Sequence, residues 1–271
     1  MVVSINTNSP AAGGLQQLSK TSSLLQKREE RISTGLKVNG PKDNAAIFAI
    51  SRVLQGDIAG AGAVKTALSS GESTVSVAIS AGTEVSNLLT DLKGIAVQAS
   101  QDGLDPASRQ SLQNEFNALK DQISTVVGSA SFNGINLITS GGQNFQVLSG
   151  ADGSTISVQA QDLSLTGLGV DTLSIDSPAN ALNAVNSLTT AIDQAGQGLA
   201  KLGSSATQIE QQSDFTTSLQ NIQREGLGNL VDANRAEESA GTAATRVKQQ
   251  LGLTALSIAN AGPSAILALF R

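Results

Sequence analysis

The chain has 271 residues with no Cys, His, Trp or Tyr, one Met and six Phe, which excludes thiolate and imidazole chemistry, disulfides and the usual nitrogen and sulfur metal ligands. Lys and Arg number 17 against 22 Asp and Glu, a net charge of −5 that disfavours a nucleic-acid or anionic-membrane footprint. Aromatics at 2% together with 27 Gly argue against an enzyme core packed on large rings and favour long helices that approach one another closely.

The first helix is predicted within Ser4–Leu36, with Pro10 near its start and a narrow stripe of Leu15, Leu18, Leu25 and Ile32. Ser33 to Asn44 holds two Gly, a Pro and several turn formers, and reads as a connector. A long second helix is predicted from about Ala45 to Gln101. Its positions Val64, Ala67, Gly71, Thr74, Ala78, Ala81, Val85, Leu88, Leu92, Ile95 and Ala99 step by three and four without a slip, the pattern of a coiled-coil seam. Asp105 then caps, and Pro106 opens, a third helix with Leu112, Phe116, Leu119, Ile123 and Val126 on one side, expected to return antiparallel.

Between about 131 and 177 the period changes to two. Phe145 and Val147, then Ile156 and Val158, flank Gly150-Ala151-Asp152-Gly153 and predict a β-hairpin. Ser177-Pro178 starts a fourth helix with the seam Val185, Leu188, Ile192, Ala195, Leu199, Leu202, Ala206, Ile209, Ser213 and Thr216. The last helix, about Val231 to Phe270, places Ala233, Ala236, Ala240, Ala243, Val247, Leu251, Thr254, Ile258 and Ala261 on its seam and is expected to be interrupted at Gly262-Pro263. Its tail is apolar, where a chain end ordinarily frays, and so expects a partner surface. The fold class that results is mainly α: a long antiparallel, coiled-coil-like helical rod with a small β-hairpin region in mid-chain and terminal helices side by side, too narrow in apolar area to be stable alone. No run of about 18 consecutive apolar residues and no basic-then-apolar start occurs, so the expectation is neither a membrane span nor a cleaved signal peptide.

Ser4-Ile5-Asn6-Thr7-Asn8, Arg31-Ile32-Ser33-Thr34-Gly35-Leu36-Lys37-Val38-Asn39 and Lys42-Asp43-Asn44-Ala45-Ala46 closely resemble the N-terminal region of bacterial flagellins. Ala96-Val97-Gln98-Ala99-Ser100, Phe132-Asn133-Gly134, Leu251-Gly252, Ala259-Asn260 and Leu267 to Arg271 continue the resemblance in the same order to the C-terminus. Val231-Asp232-Ala233-Asn234 and Val247-Lys248-Gln249-Gln250 look like the alphaproteobacterial branch, and the short interval from Gly134 to Ser177 leaves no room for an additional outer domain. The resemblance implies an inner filament-core domain of residues 1–45 and 230–271 and an outer helical domain of 46–229. It also implies a structural subunit, exported without a cleaved signal, that polymerises outside the cell into an open helical homopolymer for swimming. Export chaperone, cap and hook-associated proteins would be its other partners, with no enzyme activity, cofactor, metal, nucleic acid or membrane insertion.

On that reading Ile5, Leu15, Leu18, Leu25, Ile32, Val247, Leu251, Ile258, Leu267 and Leu269 carry both the pairing of the terminal helices and the packing between subunits, each added subunit burying apolar surface in a heterologous contact that does not close. Arg31, Lys42, Asp43 and Asn44 form the interdomain connector and set its angle. Ser149, Ser154, Thr155 and Ser164 are candidates for O-glycosylation, a modification that flagellins often carry. Asp91 stands where the family's surface for the animal innate immune receptor has a basic residue, and Gly94 where it has an acidic one, so weak recognition is expected. The carboxylate pairs Glu237/Glu238 and Asp102/Asp105 have no His or third ligand near them in sequence and read as a solvated face or helix caps rather than as acid/base or metal pairs. The alternatives are a hook-filament junction protein or, in another class, a secreted helical effector or adhesin.

Overall fold

A computed structural model describes residues 7–268, with side chains through Ala261. Five helices and one hairpin follow in order: α1 (Ser9–Thr34), α2 (Ala45–Ala99), α3 (Pro106–Ser129), β1 (Phe145–Leu148), β2 (Thr155–Val158), α4 (Pro178–Val231) and α5 (Arg235–Ala268). Local chemistry sets most of the boundaries. Asn8 caps α1 by accepting from Ala11 N, which starts the helix at Ser9, next to Pro10 as expected. Gly35 ends it in the left-handed conformation, φ 74°, a region costly for any residue with a Cβ. Asn44 Oδ1 accepts from Ile47 N at the start of α2. Asp105 accepts from both Ala107 N and Ser108 N with Pro106 in the first helical position, as its sequence requires. Asn234 Oδ1 does the same for Ala236 N and Glu237 N at α5.

The chain forms two compact units, Met1–Gly56 with Ile222–Arg271 and Asp57–Asn221. The division falls inside α2 and α4. One expectation fails in α5, which continues through Gly262 and Pro263 to Ala268; proline removes one intrahelical donor, and a helix with other support can propagate past it.

The central unit holds the apolar core. Leu68, Val75, Val85, Leu89 and Leu92 of α2, Phe116 and Ile123 of α3, and Leu188, Leu202 and Ile209 of α4 are buried in one cluster. α2 and α4 run antiparallel within it. A Cβ on Gly82 would meet Leu199 Cδ2 at 2.9 Å, and Gln220 Nε2 donates to Ile58 O at 3.1 Å. The predicted seams of both helices are therefore inward. By length and composition alone α2 would pass as a membrane-crossing helix, with a window of mean hydropathy 1.2 of which 17% is buried; its residues from Val64 to Ala99 supply one wall of the core.

β1 and β2 pair antiparallel, Phe145 with Val158 and Val147 with Ile156. Val147, Ile156 and Val158 are buried, and a Cβ on Gly71 would lie 2.7 Å from both methyls of Val147, so α2 accepts the hairpin only where it lacks a side chain. The chain after the hairpin is fixed to α3. Gln113 Oε1 accepts from Ser174 Oγ and Ile175 N, and Lys120 Nζ donates to the Asp171 and Leu173 carbonyls, with burial holding its pKa below the usual lysine value.

Candidate assembly surface on the terminal helices

α1 and α5 lie antiparallel. Leu256 Cδ1 faces the Cα of Gly14 and Leu18 Cδ1 that of Gly252, at 3.5 and 3.6 Å from an ideal Cβ. Gln249 Nε2 donates to Ser22 Oγ at 3.1 Å. Nearer the connector, Glu238 accepts from Arg28 Nη1 through one carboxylate oxygen and from Arg31 Nη1 through the other, both at 2.9 Å. Arg28 lies directly over Gly241, where a Cβ would come within 1.9 Å of its guanidinium. At the far edge Arg246 and Glu29 form an exposed pair at 2.9 Å.

The inward face of α5 is thus Glu238, Thr242, Thr245, Gln249, Gly252, Leu256 and Ala259, an unbroken alternation of four and three. Its buried members are polar: Glu238, Thr242 and Thr245, and the buried residue of α1 is Thr21. Thr21 and Thr245 direct their hydroxyls back to the carbonyls of Gln17 and Gly241. These small polar residues let the backbones come close but remove little apolar surface from water.

This seam corrects the sequence reading. Val247, Leu251 and Ile258 were expected to pair with α1; they are 54%, 64% and 73% exposed. Each follows one of the inward residues Thr245, Gln249 and Leu256 by two positions, which at about 100° per residue puts it roughly 160° around the helix. On α1 the expectation divides. Leu18, Leu25 and Ile32 are half-buried on the side of α5, whereas Leu15 is 60% exposed. Leu24, Leu253 and their neighbours add further exposed apolar area. Ile5 and Leu269 lie outside the described residues, and Leu267 is described only as helical backbone.

Two more assignments change. Glu238 is no solvated carboxylate: it is buried between two arginines. Its pairing with residues more than 200 positions away has no local signal; the four-three spacing through Thr242 and Thr245 is present in the sequence beside the more hydrophobic stripe of Val247, Leu251 and Ile258. Arg31 belongs to this cluster in α1 rather than to the connector. The connector is held by Asp43, which accepts from Asn39 N and Gly40 N and pairs with Lys27 at 3.2 Å. The Lys27 ammonium, then the Asn39 amide, keep the Asp43 carboxyl below its ordinary value. Lys42 is exposed. Backbone bonds from Lys37 N to Val231 O and from Ala233 N to Gly35 O join the connector to the α4–α5 junction.

Of the hydroxyl candidates, Ser154 and Thr155 are exposed at the hairpin, donating to Asp152 and Gln146, while Ser149 and Ser164 are half-buried. Asp91 and Gly94 are both exposed on α2.

The N-terminal helical region of bacterial flagellin matches residues 5–142, and its C-terminal helical region matches 183–270. Flagellin FljO of Caulobacter vibrioides is 41% identical over 99% of this chain and 98% of its own length. A flagellin of Brucella melitensis is 32% identical over the whole of both chains. Among solved structures, Bacillus cereus flagellin superimposes with a TM-score of 0.50 at 25% identity, covering 54% of this chain and 86% of its own. A putative hook-associated protein of Vibrio parahaemolyticus reaches the same TM-score at 15% identity and shares the fold alone. Two terminal helices that bury polar residues between them and turn leucine, valine and isoleucine outward suit a subunit completed by its neighbours, and full-length similarity agrees: the chain belongs to the bacterial flagellins and is a structural subunit of the flagellar filament.

Proposed function

We propose that Val247, Leu251 and Ile258 of α5, with Leu15 of α1, make the contacts between copies of the chain in the filament core, while Leu18, Leu25 and Ile32 mainly hold α1 to α5. One observation carries this reading: the fully buried members of the intrachain seam are polar, and the face of α5 opposite it is apolar and exposed. Each square ångström of that face covered by a neighbour stabilises the polymer by about 25 cal/mol before ordering costs. A surface of this kind needs a cover at every stage, which supports an export chaperone on the free chain and cap and hook-associated proteins at the filament ends. The connector, fixed through Lys27 and Asp43, sets the path of the chain between α1 and α2 against the α4–α5 junction, with Asn44 starting α2 and Lys42 facing solvent. Ser154 and Thr155 are the favoured glycosylation positions because they stand exposed on the hairpin.

Seeded growth tests the reading. Purified chain added to sheared filament fragments should elongate them into fibres visible by negative stain, and removing Leu267 to Arg271 should stop elongation while leaving the helical circular dichroism of the central unit. Elongation by the truncated chain would overturn the assignment of the terminal face.

A further inference from the structure

Pro263 lies inside α5. In an α-helix the carbonyl of residue 259 is served by the N–H of residue 263, and a proline has none to give. The Ala259 carbonyl has a donor all the same, and it comes from the other end of the chain: Asn8 Nδ2 donates to it at 2.9 Å. The same amide nitrogen reaches Asn260 Oδ1 at 3.4 Å. Its oxygen accepts from Ala11 N at 3.1 Å, the bond that caps α1. One half-buried side chain therefore commits both amide hydrogens to α5 and its acceptor to α1.

We propose that Asn8 is a positioning residue that replaces the hydrogen bond removed by Pro263 and so locks the register of α1 against α5, making the first turn of one helix and the last turns of the other order together. The chemistry is narrow. Asp keeps the capping acceptor but turns a second acceptor toward the Ala259 carbonyl. Ser caps α1 but has a single hydroxyl hydrogen and a shorter reach. Ala does neither. Conversely, Pro263→Ala restores an N–H to the helix itself and makes the Asn8 amide nitrogen redundant. The 251-residue separation means that neither chain end can settle its register without the other.

The test is a double-mutant cycle read by hydrogen exchange and mass spectrometry on the full-length chain in filaments, with wild type, Asn8→Asp, Pro263→Ala and the double variant compared. Asn8→Asp should speed exchange of α5 amides around residues 255–262 by roughly two- to tenfold, the equivalent of one net hydrogen bond. In the Pro263→Ala background the same substitution should have no effect on that segment. Asn8→Ala, which also loses the cap, should speed exchange at the start of α1 in both backgrounds. Exchange in Asn8→Asp equal to wild type, or an equal acceleration with and without Pro263, overturns the proposal. Sedimentation of the wild type with seeds is read separately. If the wild type stays soluble, the assembly reading fails, and the same exchange pattern in the soluble chain still decides the role of Asn8.

Discussion

The two units of this flagellin solve burial in opposite ways. The central unit encloses Phe116, Ile123 and a dozen or so leucines, valines and isoleucines of α2 and α4, with the hairpin set onto Gly71. Among the described residues of the terminal unit the buried hydrophobics are Val38 and Val231, and the helix pair itself buries Thr21, Glu238, Thr242 and Thr245. Hydrophobic burial is the main favourable term in folding, so the central unit gains most of it within its own core, whereas the terminal unit leaves Leu15, Val247, Leu251 and Ile258 exposed.

The comparison breaks most sharply at the central core. Phe116→Ala removes a fully buried ring and should cost about 3–5 kcal/mol, lowering the melting temperature of the central unit by roughly 10 °C in calorimetry. The terminal face should respond differently. Leu251→Ser with Ile258→Ser removes two side chains that are 64% and 73% exposed in the single chain. The free-chain melting curve should stay unchanged, while the concentration left unpolymerised at the end of seeded growth rises about tenfold or more per site. A fall in free-chain stability instead would mean that this face packs within the chain.

The polar seam sharpens the comparison at smaller scale. Glu238→Ala leaves Arg28 and Arg31 without their carboxylate. Because both arginines are about a third accessible, the loss should be about 1–3 kcal/mol, less than for a fully buried pair, seen as faster amide exchange in α1 and α5 of the filament. Arg246→Ala, at an exposed pair, should move the same readout by less than about 1 kcal/mol. The smallest effect is at the connector. The Asp43 carboxyl is held below its ordinary value of 3.8 by Lys27 and the Asn39 amide, so its stabilisation is complete above that pH and is lost as the pH falls through the lowered folded value. Protection of residues 39–44 should therefore decline below about pH 4 in exchange measurements, and Asp43→Asn should remove that pH dependence.

Much of this was legible in one dimension. The Asp105-Pro106 start, the Gly35 stop, the hairpin around Gly150 to Gly153 and the seams of α2 and α4 are local or periodic signals, and each lies where the residues require it. The filament-core list was half legible: its leucines and isoleucines were the right type of residue, but which of them turn toward α1 could not be read from spacing. α5 carries two interleaved four-three stripes, and the more hydrophobic one, Val247, Leu251 and Ile258, faces away from its intrachain partner.

The small residues and the long periodicities determined by themselves that this chain is helical and built for close helix packing, and the missing Cys and His removed thiolate and imidazole chemistry. What only the tertiary structure decided is the facing of the terminal helices. That choice is made by contacts between residues some 200 positions apart, Arg28 and Arg31 on Glu238 and Asn8 on Ala259. Helical periodicity specifies which residues share a face, but whether that face meets the same chain or another depends on long-range charge and hydrogen-bond partners that the pattern does not contain.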